Sequence, residues 1–317
     1  MPVRLFTLAL ILIVLSGCTL TKTPATQPPA PPAQPTPPSP PPAATATATR
    51  PPAPPQPSDT PPPPPATTAP PPAAATPAVD MAPQRITFQA EDGTQLVGDY
   101  YPAASPNAGL VVLMHQMASS RKIWLQKGLV DWLTNRQAFG QPPLQPDARG
   151  PAYPALPPSD SYAVFAFDFR GHGESQGRAV EPADYLSDAK AAIEAARSLP
   201  GVDPQRVALL GASIGADAAV DACGEGCLGA LSLSPGSYLG QPYAGVVAEM
   251  SAAGLPAYCL AAEGDRESAS TCQSADGATY RRFLYPGSAH GANLLMSGLD
   301  PEVGGVLLEW LQWVFEP

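Results

Sequence analysis

The sequence predicts an α/β fold in which helices cover both faces of a mostly parallel β-sheet. Three observations support this prediction. From residue 109 onward, short continuous apolar runs recur that are typical of strands buried on both faces. Segments with apolar residues at helical spacing lie between these runs. One strong hairpin signal, Asp92-Gly93, precedes this alternation of strands and helices.

The elements are predicted in the following order. A hairpin pairs strands 85–90 and 95–101, and six buried strands follow at 109–114, 162–167, 207–210, 228–233, 257–262 and 280–285, which makes eight strands. Helices are predicted after Trp124, over 182–199, over 216–222 and over 307–315. Functional sites in such sheets lie beyond the carboxyl ends of the strands.

Two stretches of the domain have no clear periodicity. Residues 141–161 are rich in proline and are long for a loop, which fits a lid, another functional loop or a mobile segment. The other stretch is 235–256.

Composition separates a tether from the folded domain. Of the 45 prolines, 25 lie between Pro24 and Pro77, a stretch with almost no large apolar side chains. Such a segment cannot bury enough surface to offset its ordering entropy. We therefore expect residues 18–79 to form a disordered, extended tether and residues 80–317 to form one domain.

The N-terminus predicts export and lipid attachment. Arg4 precedes an apolar run, 5–15, that is too short to span a membrane. Leu15-Ser16-Gly17-Cys18 then resembles the lipobox of bacterial lipoproteins. That resemblance implies a signal peptide over 1–17, lipidation of Cys18, and an extracytoplasmic protein anchored to a membrane, at the cell surface or in the periplasm.

The charge argues against polyanionic partners. The formal net charge is −10, and residues 1–79 carry three basic and one acidic side chain, so the domain carries about −12. An acidic domain without a basic stripe does not favour nucleic acid or anionic lipid as a partner. The charge itself serves solubility, and we expect a monomer.

The central motif is Gly211-Ala212-Ser213-Ile214-Gly215. It follows an apolar, β-prone run and precedes small, helix-forming residues, as a Gly-x-Ser-x-Gly nucleophile elbow requires. A serine on such a sharp turn leaves no room for side chains at the flanking glycines. Ser213 is therefore the predicted nucleophile.

A serine nucleophile requires a base and an orienting acid. Of the three histidines, only His290 follows Ser213 in the chain, in a loop after the last predicted strand, so it is the predicted base. Asp265 is the predicted acid because it comes just after strand 257–262; Glu263 and the more distant Asp276 are alternatives, and Asp265 could instead cap a helix.

The two remaining histidines lie in the loops after two other strands, and one of these loops is expected to supply part of the oxyanion hole. His115 and His172 are predicted to brace loops rather than to take part in chemistry. The oxyanion hole requires backbone N–H groups, which we expect from Ile214 and from Met117, with Gln116 as the second choice for the latter.

These motifs resemble the α/β-hydrolase fold family over residues 80–317. The resemblance rests on the loop at His115 to Met117, the string Asp168-Phe169-Arg170-Gly171-His172-Gly173-Glu174-Ser175, the elbow, and the acid and histidine that follow it. The sequence around His290 looks like the dienelactone-hydrolase branch and related small esterases and serine peptidases. Dienelactone hydrolases use a cysteine nucleophile, so Ser213 favours a general ester as substrate. A glutamine stands at position 116, where members often have glycine, and its side chain could narrow the pocket. Many members carry a cap in the stretch that corresponds to 235–256, which is short here, so we expect no large cap domain and expect residues 141–161 to cover part of the site instead.

Four further cysteines are predicted to form two disulfides. An even number of cysteines in an exported protein favours bridges, which we place between Cys223 and Cys227 and between Cys259 and Cys272. Zinc is the competing interpretation, but no histidine has suitable spacing. We expect no metal and no organic cofactor.

The predicted function is a membrane-tethered serine hydrolase, of the carboxylesterase type, that acts on a small-molecule ester through a Ser-His-Asp triad. A serine peptidase or an acyl-transferase would use the same residues. A non-catalytic surface-binding module could retain the same fold without turnover.

Overall fold

The computed structural model of the chain describes residues 80–316. The predictions made for residues 1–79, which are the signal peptide, the lipidated Cys18 and the tether, lie outside these residues, as does Pro317.

A sheet of eight strands forms the centre of the domain. The strands are β1 (Gln84–Gln89), β2 (Gln95–Tyr101), β3 (Ala108–Met114), β4 (Ala163–Asp168), β5 (Val202–Ala212), β6 (Cys227–Leu233), β7 (Ala257–Ala262) and β8 (Tyr280–Tyr285). Their spatial order is β1-β2-β4-β3-β5-β6-β7-β8. β2 pairs antiparallel with β1 and β4, and all other pairs are parallel. The predicted mostly parallel sheet is therefore confirmed.

Seven α-helices and two short 3₁₀ helices are found among residues 80–316. The α-helices are α1 (Lys122–Gln126), α2 (Leu129–Leu133), α3 (Ala183–Arg197), α4 (Ile214–Asp221), α5 (Tyr243–Ala252), α6 (Arg266–Ser274) and α7 (Val303–Phe315). The 3₁₀ helices span Arg136–Phe139 and Gly291–Leu294.

The helices cover both faces of the sheet, each over its own apolar core. One core contains side chains of α3, α4 and α5, and the other contains side chains of α1, α2 and α7, including Trp124 and Trp310. β3 and β4 are buried along their whole length because they lie between these two layers. Their carboxyl ends point to the same edge, where the loops that matter for function begin.

Several elements differ from the sequence-based prediction. The helix expected after Trp124 is broken into α1 and α2 at Gly128, whose φ of +68° ends the first helix. α5 has buried side chains at Tyr243, Val247 and Met250, a helical spacing that is too short to stand out in the sequence. α6 is rich in Ser and Thr, which have weak helical propensity, so pattern alone did not predict it.

Both expected disulfides are present. Cys223–Cys227 closes the turn from α4 to β6, with Cα atoms 5.2 Å apart. Cys259–Cys272 joins β7 to α6, with Cα atoms 5.7 Å apart. Because α6 starts directly after Asp265, the second bridge ties both ends of the acid loop to the sheet.

No large cap domain interrupts the sheet in the region that the structure describes, since the chain between β6 and β7 contains only α5. None of the helices over 80–316 has the length and apolar character that crossing a bilayer requires.

Candidate active site

Ser213 lies on a strained turn between β5 and α4. Its φ is +52° and its ψ is −117°, a conformation that L-residues rarely adopt. A Cβ on Gly211 would lie 1.8 Å from the Gly215 carbonyl oxygen, and a Cβ on Gly215 would lie 2.1 Å from the Met114 carbonyl oxygen. Both flanking positions therefore exclude side chains, for the reason that the motif suggests.

Ser213, His290 and Asp265 form a continuous hydrogen-bonded chain. His290 Nδ1 lies 2.7 Å from Asp265 Oδ2, and His290 Nε2 lies 2.9 Å from Ser213 Oγ. A carboxylate only accepts hydrogen bonds, so the ring carries its proton on Nδ1, and Nε2 is free to accept from the serine hydroxyl. The structure thus brings together the three residues that the sequence singled out for a nucleophile, a base and an acid.

The geometry selects Asp265 over its alternatives. Glu263 and Asp276 are exposed, and neither hydrogen-bonds to His290. Asp265 occupies the N-cap position of α6, but its side chain makes no capping hydrogen bond and points to the imidazole instead. The acid loop is also joined to the histidine loop, because the Gly264 amide donates to the Gly287 carbonyl at 2.7 Å.

Two polar side chains hold the histidine loop by hydrogen bonds to its backbone, and the sequence alone assigned neither of them this role. The Gly291 amide donates to Ser234 Oγ at 2.9 Å, and the Ala292 amide donates to Gln116 Oε1 at 2.7 Å. These are the two amides that directly follow His290. The expectation that Gln116 narrows the pocket is therefore wrong, because its side chain is engaged in bracing the loop.

The two residues whose amides are expected to form an oxyanion hole belong to one cleft. Met117 and Ile214 both line it, whereas Gln116 does not. Neither amide donates a hydrogen bond to another residue within 80–316. Ile214 is the first residue of α4, so the positive end of that helix dipole adds to its N–H group.

This cleft, which is lined by Ile214, the residue after Ser213, has a volume of about 300 Å³ and mainly apolar walls. Besides the two residues with open amides, Val180, Tyr185 and Tyr238 line it, and Glu181 contributes the one carboxylate. No residue of 141–161 lines this cleft. The expected cover from that loop is therefore absent here, and residues 179–182 with Tyr185 contribute much of the lining instead.

Asp217 of α4 positions the segment after β6. Its side chain is 1% exposed and accepts hydrogen bonds from the amides of Gly236 and Tyr238. Burial raises the pKa of this carboxyl to about 6. The nucleophile helix thereby holds both Tyr238, a wall of the cleft, and the segment that carries Ser234.

The other two histidines brace loops, as their positions in the sequence suggest. His115 is buried, Nδ1 bonds the Gln116 carbonyl at 2.7 Å, and Nε2 accepts from the Phe169 amide at 3.1 Å. Burial lowers the pKa of His115 to about 4, so the ring is neutral. His172 accepts from the Ala118 amide at 3.3 Å and stabilises the turn after Met117.

The string from Asp168 to Ser175 is structural in this fold. The buried Asp168 carboxylate accepts from the Arg121 amide at 2.7 Å and from the Glu174 amide at 2.8 Å, and it pairs with the Arg121 guanidinium. Ser175 Oγ donates to the Asp168 carbonyl at 2.6 Å. Among residues 80–316, no cluster of side chains has the composition of a metal site.

Comparison with known proteins finds sequence matches over parts of the chain. The sequence model of the family described as "Serine aminopeptidase, S33" matches residues 159–278, which include Ser213 and Asp265. The protein YfhR of Salmonella typhi is 30% identical over 152 residues, which is 47% of this chain and 43% of YfhR. The chain thus matches less than half the length of this curated relative.

Solved structures match over a larger share of the chain. The esterase Pf2001 of Pyrococcus furiosus superposes with a TM-score of 0.55 at 17% identity, covering 74% of this chain and 92% of that one. The α/β hydrolase GrgF from Penicillium sp. sh18 superposes with a TM-score of 0.50 at 12% identity, covering 74% and 98%. At these identities the likeness concerns the fold.

Proposed function

The chain is a protein of the α/β-hydrolase fold, and we propose that it is a serine hydrolase that cleaves carboxylic esters. The observation that carries this proposal is the hydrogen-bonded chain from Ser213 Oγ through His290 to Asp265, with distances of 2.9 and 2.7 Å. The strained backbone of Ser213 supports it, because such strain concentrates at functional sites.

The proposed reaction proceeds through an acyl-enzyme. Ser213 Oγ attacks the ester carbonyl carbon while His290 Nε2 takes the hydroxyl proton, and the amides of Met117 and Ile214 stabilise the oxyanion. His290 then gives that proton to the departing alcohol. A water molecule attacks the acyl-enzyme by the same route in reverse and releases the acid. Asp265 keeps the ring in the required tautomer and stabilises its charged form.

The cleft favours a small ester with an apolar acyl group. Its volume of about 300 Å³ is at the lower end of the range for ligand pockets, and both oxyanion residues line it. The acyl carbon must lie beside those amides, so the acyl chain extends along Val180 and Tyr238. The branch related to dienelactone hydrolases stays a prediction.

A fluorophosphonate probe tests this proposal directly. We expect the wild-type protein to be labelled, Ser213→Ala to lose labelling, and its kcat for p-nitrophenyl acetate to fall by about 10⁴-fold or more. Ser270→Ala, which removes an exposed serine on α6, serves as the matched control. Absence of labelling in the wild type would contradict the proposal and favour a non-catalytic binding module.

A serine peptidase is the second candidate. The family description names an aminopeptidase, and Glu181 places a carboxylate in the cleft where it could bind a substrate ammonium. Aminoacyl p-nitroanilides should then be cleaved faster than p-nitrophenyl acetate, and Glu181→Gln should raise KM for the nitroanilides alone. A preference for the neutral ester that Glu181→Gln leaves unchanged would favour the esterase. Acyl transfer would appear as a second ester product when an alcohol is added.

The N-terminal sequence supports a location outside the cytoplasm. Cys18 in its lipobox-like setting would carry the lipid anchor, and residues 18–79 would hold the enzyme at a distance from the membrane. An alkynyl fatty acid fed to expressing cells should label the full-length chain, and Cys18→Ala should abolish that label. We also propose that the enzyme is a monomer, that it needs no metal or organic cofactor, and that nucleic acid is not its partner.

A further inference from the structure

A second pocket, of about 350 Å³, lies next to the segment that follows His290. Its walls come from α1 and the residue after it, from the loop 141–161, and from the 3₁₀ helix Gly291–Leu294. The polar and charged residues that line it are Gln126, Lys127, Gln145, Asp147, Arg149 and Asn293. This pocket is separate from the cleft that Met117 and Ile214 line, since the two share no residue.

One wall of the pocket belongs to the segment that directly follows the base. The Asn293 amide donates to the His290 carbonyl at 3.2 Å, so this wall residue lies one short turn along the backbone from His290. The opposite wall, α1, starts five residues after Met117. His290 would protonate the departing alcohol, so the alcohol part of an ester lies on this side, while the acyl part lies in the first cleft.

The net charge of the side chains that line the pocket favours a ligand with a single negative charge. Within residues 80–316, neither Lys127 nor Arg149 has a carboxylate within salt-bridge distance. Asp147 also lines the pocket, so the three side chains together carry +1. Lys127 is half-buried, and burial lowers its pKa because no counter-ion offsets the lost hydration. Two basic side chains that form no salt bridge within residues 80–316 thus line one pocket of an acidic domain.

The wall that carries these groups is held in place. The Arg149 amide donates to the Gln126 carbonyl at 2.7 Å, and Tyr153 Oη donates to the Lys127 carbonyl at 3.0 Å. A Cβ on Gly150 would lie 2.0 Å from that same carbonyl oxygen, so the loop requires glycine for this close approach. The loop 141–161 therefore forms a fixed wall of this pocket instead of a lid over the acyl cleft.

We propose that this pocket binds a carboxylate on the alcohol part of the ester substrate. The inference rests on the proposed esterase function. Lys127 and Arg149 would donate charge-assisted hydrogen bonds to the carboxylate oxygens, and the side-chain NH₂ groups of Gln126, Gln145 and Asn293 offer further donors. A monoanion matches the pocket charge of +1. The preferred substrates are then esters of carboxylated alcohols or phenols with a small apolar acid.

Two matched esters test the proposal. 4-Acetoxybenzoate carries the carboxylate on the leaving group, and 4-acetoxybenzamide is its neutral counterpart of similar shape. We expect Lys127→Gln to lower the ratio of kcat/KM for the anionic ester over the neutral one by about tenfold, the effect of losing one charge-assisted hydrogen bond. Arg149→Gln should lower the ratio less, because that side chain is exposed. Asp147→Asn should raise the ratio.

The control is Lys122→Gln, which removes an exposed lysine of α1 that does not line the pocket. An ester with its carboxylate on the acyl side, p-nitrophenyl hemisuccinate, should not respond to Lys127→Gln. A binding readout that does not require turnover uses Ser213→Ala with 4-hydroxybenzoate, whose Kd should rise about tenfold when Lys127→Gln is added.

The outcomes separate the two proposals. Hydrolysis of the neutral ester supports the esterase function whatever happens to the ratio. An unchanged ratio in the double variant Lys127→Gln/Arg149→Gln overturns the carboxylate pocket and leaves the esterase standing. Failure of the wild type to hydrolyse either ester removes the esterase function, and the inference about the alcohol pocket with it.

Discussion

Ser234 is the residue whose removal should show how the base is held. Its side chain is fully buried directly after β6, and its Oγ accepts the Gly291 amide at 2.9 Å. Its φ is +56°, in the left-handed region. Replacement by alanine therefore removes the acceptor but keeps the backbone strain, whereas replacement by glycine removes both.

The expected magnitude follows from these two features. Leaving a buried amide without an acceptor costs about 1–3 kcal/mol. In Ser234→Ala that cost either lowers the free energy of unfolding or moves the loop until the amide finds water. Movement of the loop displaces His290 and lowers kcat/KM by about tenfold for each 1.4 kcal/mol. Glycine relieves about 1 kcal/mol of left-handed strain, so Ser234→Gly should unfold at higher denaturant concentration than Ser234→Ala.

The assay combines denaturant unfolding with kinetics on p-nitrophenyl acetate. We expect Ser234→Ala and Ser234→Gly to lose the same factor in kcat/KM while differing in stability. Ser232→Ala is the matched control, since Ser232 is equally buried, lies two residues earlier on β6, and donates its hydroxyl to the Ala216 carbonyl instead of accepting from the histidine loop. It should lose stability while its activity per folded molecule stays the same.

Two results would refute this reasoning. If activity followed stability across the three variants, the loss would be a general folding effect, and Ser234 would have no particular role in positioning His290. If Ser234→Ala kept full activity and full stability, the Gly291 amide would not depend on this acceptor at all.

Three further predictions concern the elbow, a buried acid and a disulfide. Gly211→Ala places a Cβ 1.8 Å from a carbonyl oxygen of the elbow, so it should lower the free energy of unfolding by about 1–3 kcal/mol and abolish probe labelling. Its control is Gly305→Ala on α7, where nothing lies within 4 Å of the added Cβ, and this variant should slightly raise Tm. Burial raises the pKa of Asp221 to about 7, so the native state binds more protons than the unfolded state and stability falls as pH rises from about 4 to 7. Asp221→Asn should therefore raise Tm at pH 8 and leave it nearly unchanged at pH 4, and a Tm that fell equally at both would contradict this. Replacing Cys259 and Cys272 by alanine should lower the free energy of unfolding by about 3 kcal/mol in urea, as expected for a loop of this length; an unchanged midpoint would show that the bridge does not restrict the unfolded chain.

The acidic residues near the elbow connect stability to function. Asp217 and Asp221 lie one turn apart on the nucleophile helix, and burial raises the pKa of both. Burial of the Asp217 carboxylate lowers the free energy of unfolding. The same carboxylate positions the segment that carries Ser234 and Tyr238, through its hydrogen bonds to the amides of residues 236 and 238. Asp221 has a buried oxygen without a hydrogen-bond partner within residues 80–316, which is why its amide replacement should stabilise.

The sequence alone determined which segments form the strands, their succession along the chain, and the identity of the elbow. Buried parallel strands are continuous apolar runs, so their number and approximate bounds are visible locally. The elbow is likewise visible locally as a five-residue spacing, and Gly211 makes room for the Gly215 carbonyl of its own turn; the need for glycine at 215 comes from the Met114 carbonyl on β3, which only the sheet brings close. Only His290 follows Ser213, which limited the choice of base.

Tertiary structure decided which polar groups meet. Gln116 and Ala292 are 176 residues apart and Ser234 and Gly291 are 57 apart, so no local pattern signals their hydrogen bonds. The choice between Asp265 and Glu263 depended on side-chain direction, which only the packed loop defines. For the loop 141–161, composition indicated irregular structure but could not indicate the pocket that the loop helps to form. Local periodicity reports burial of apolar side chains, whereas a site is made of polar groups from separate loops that come together only when the sheet has formed.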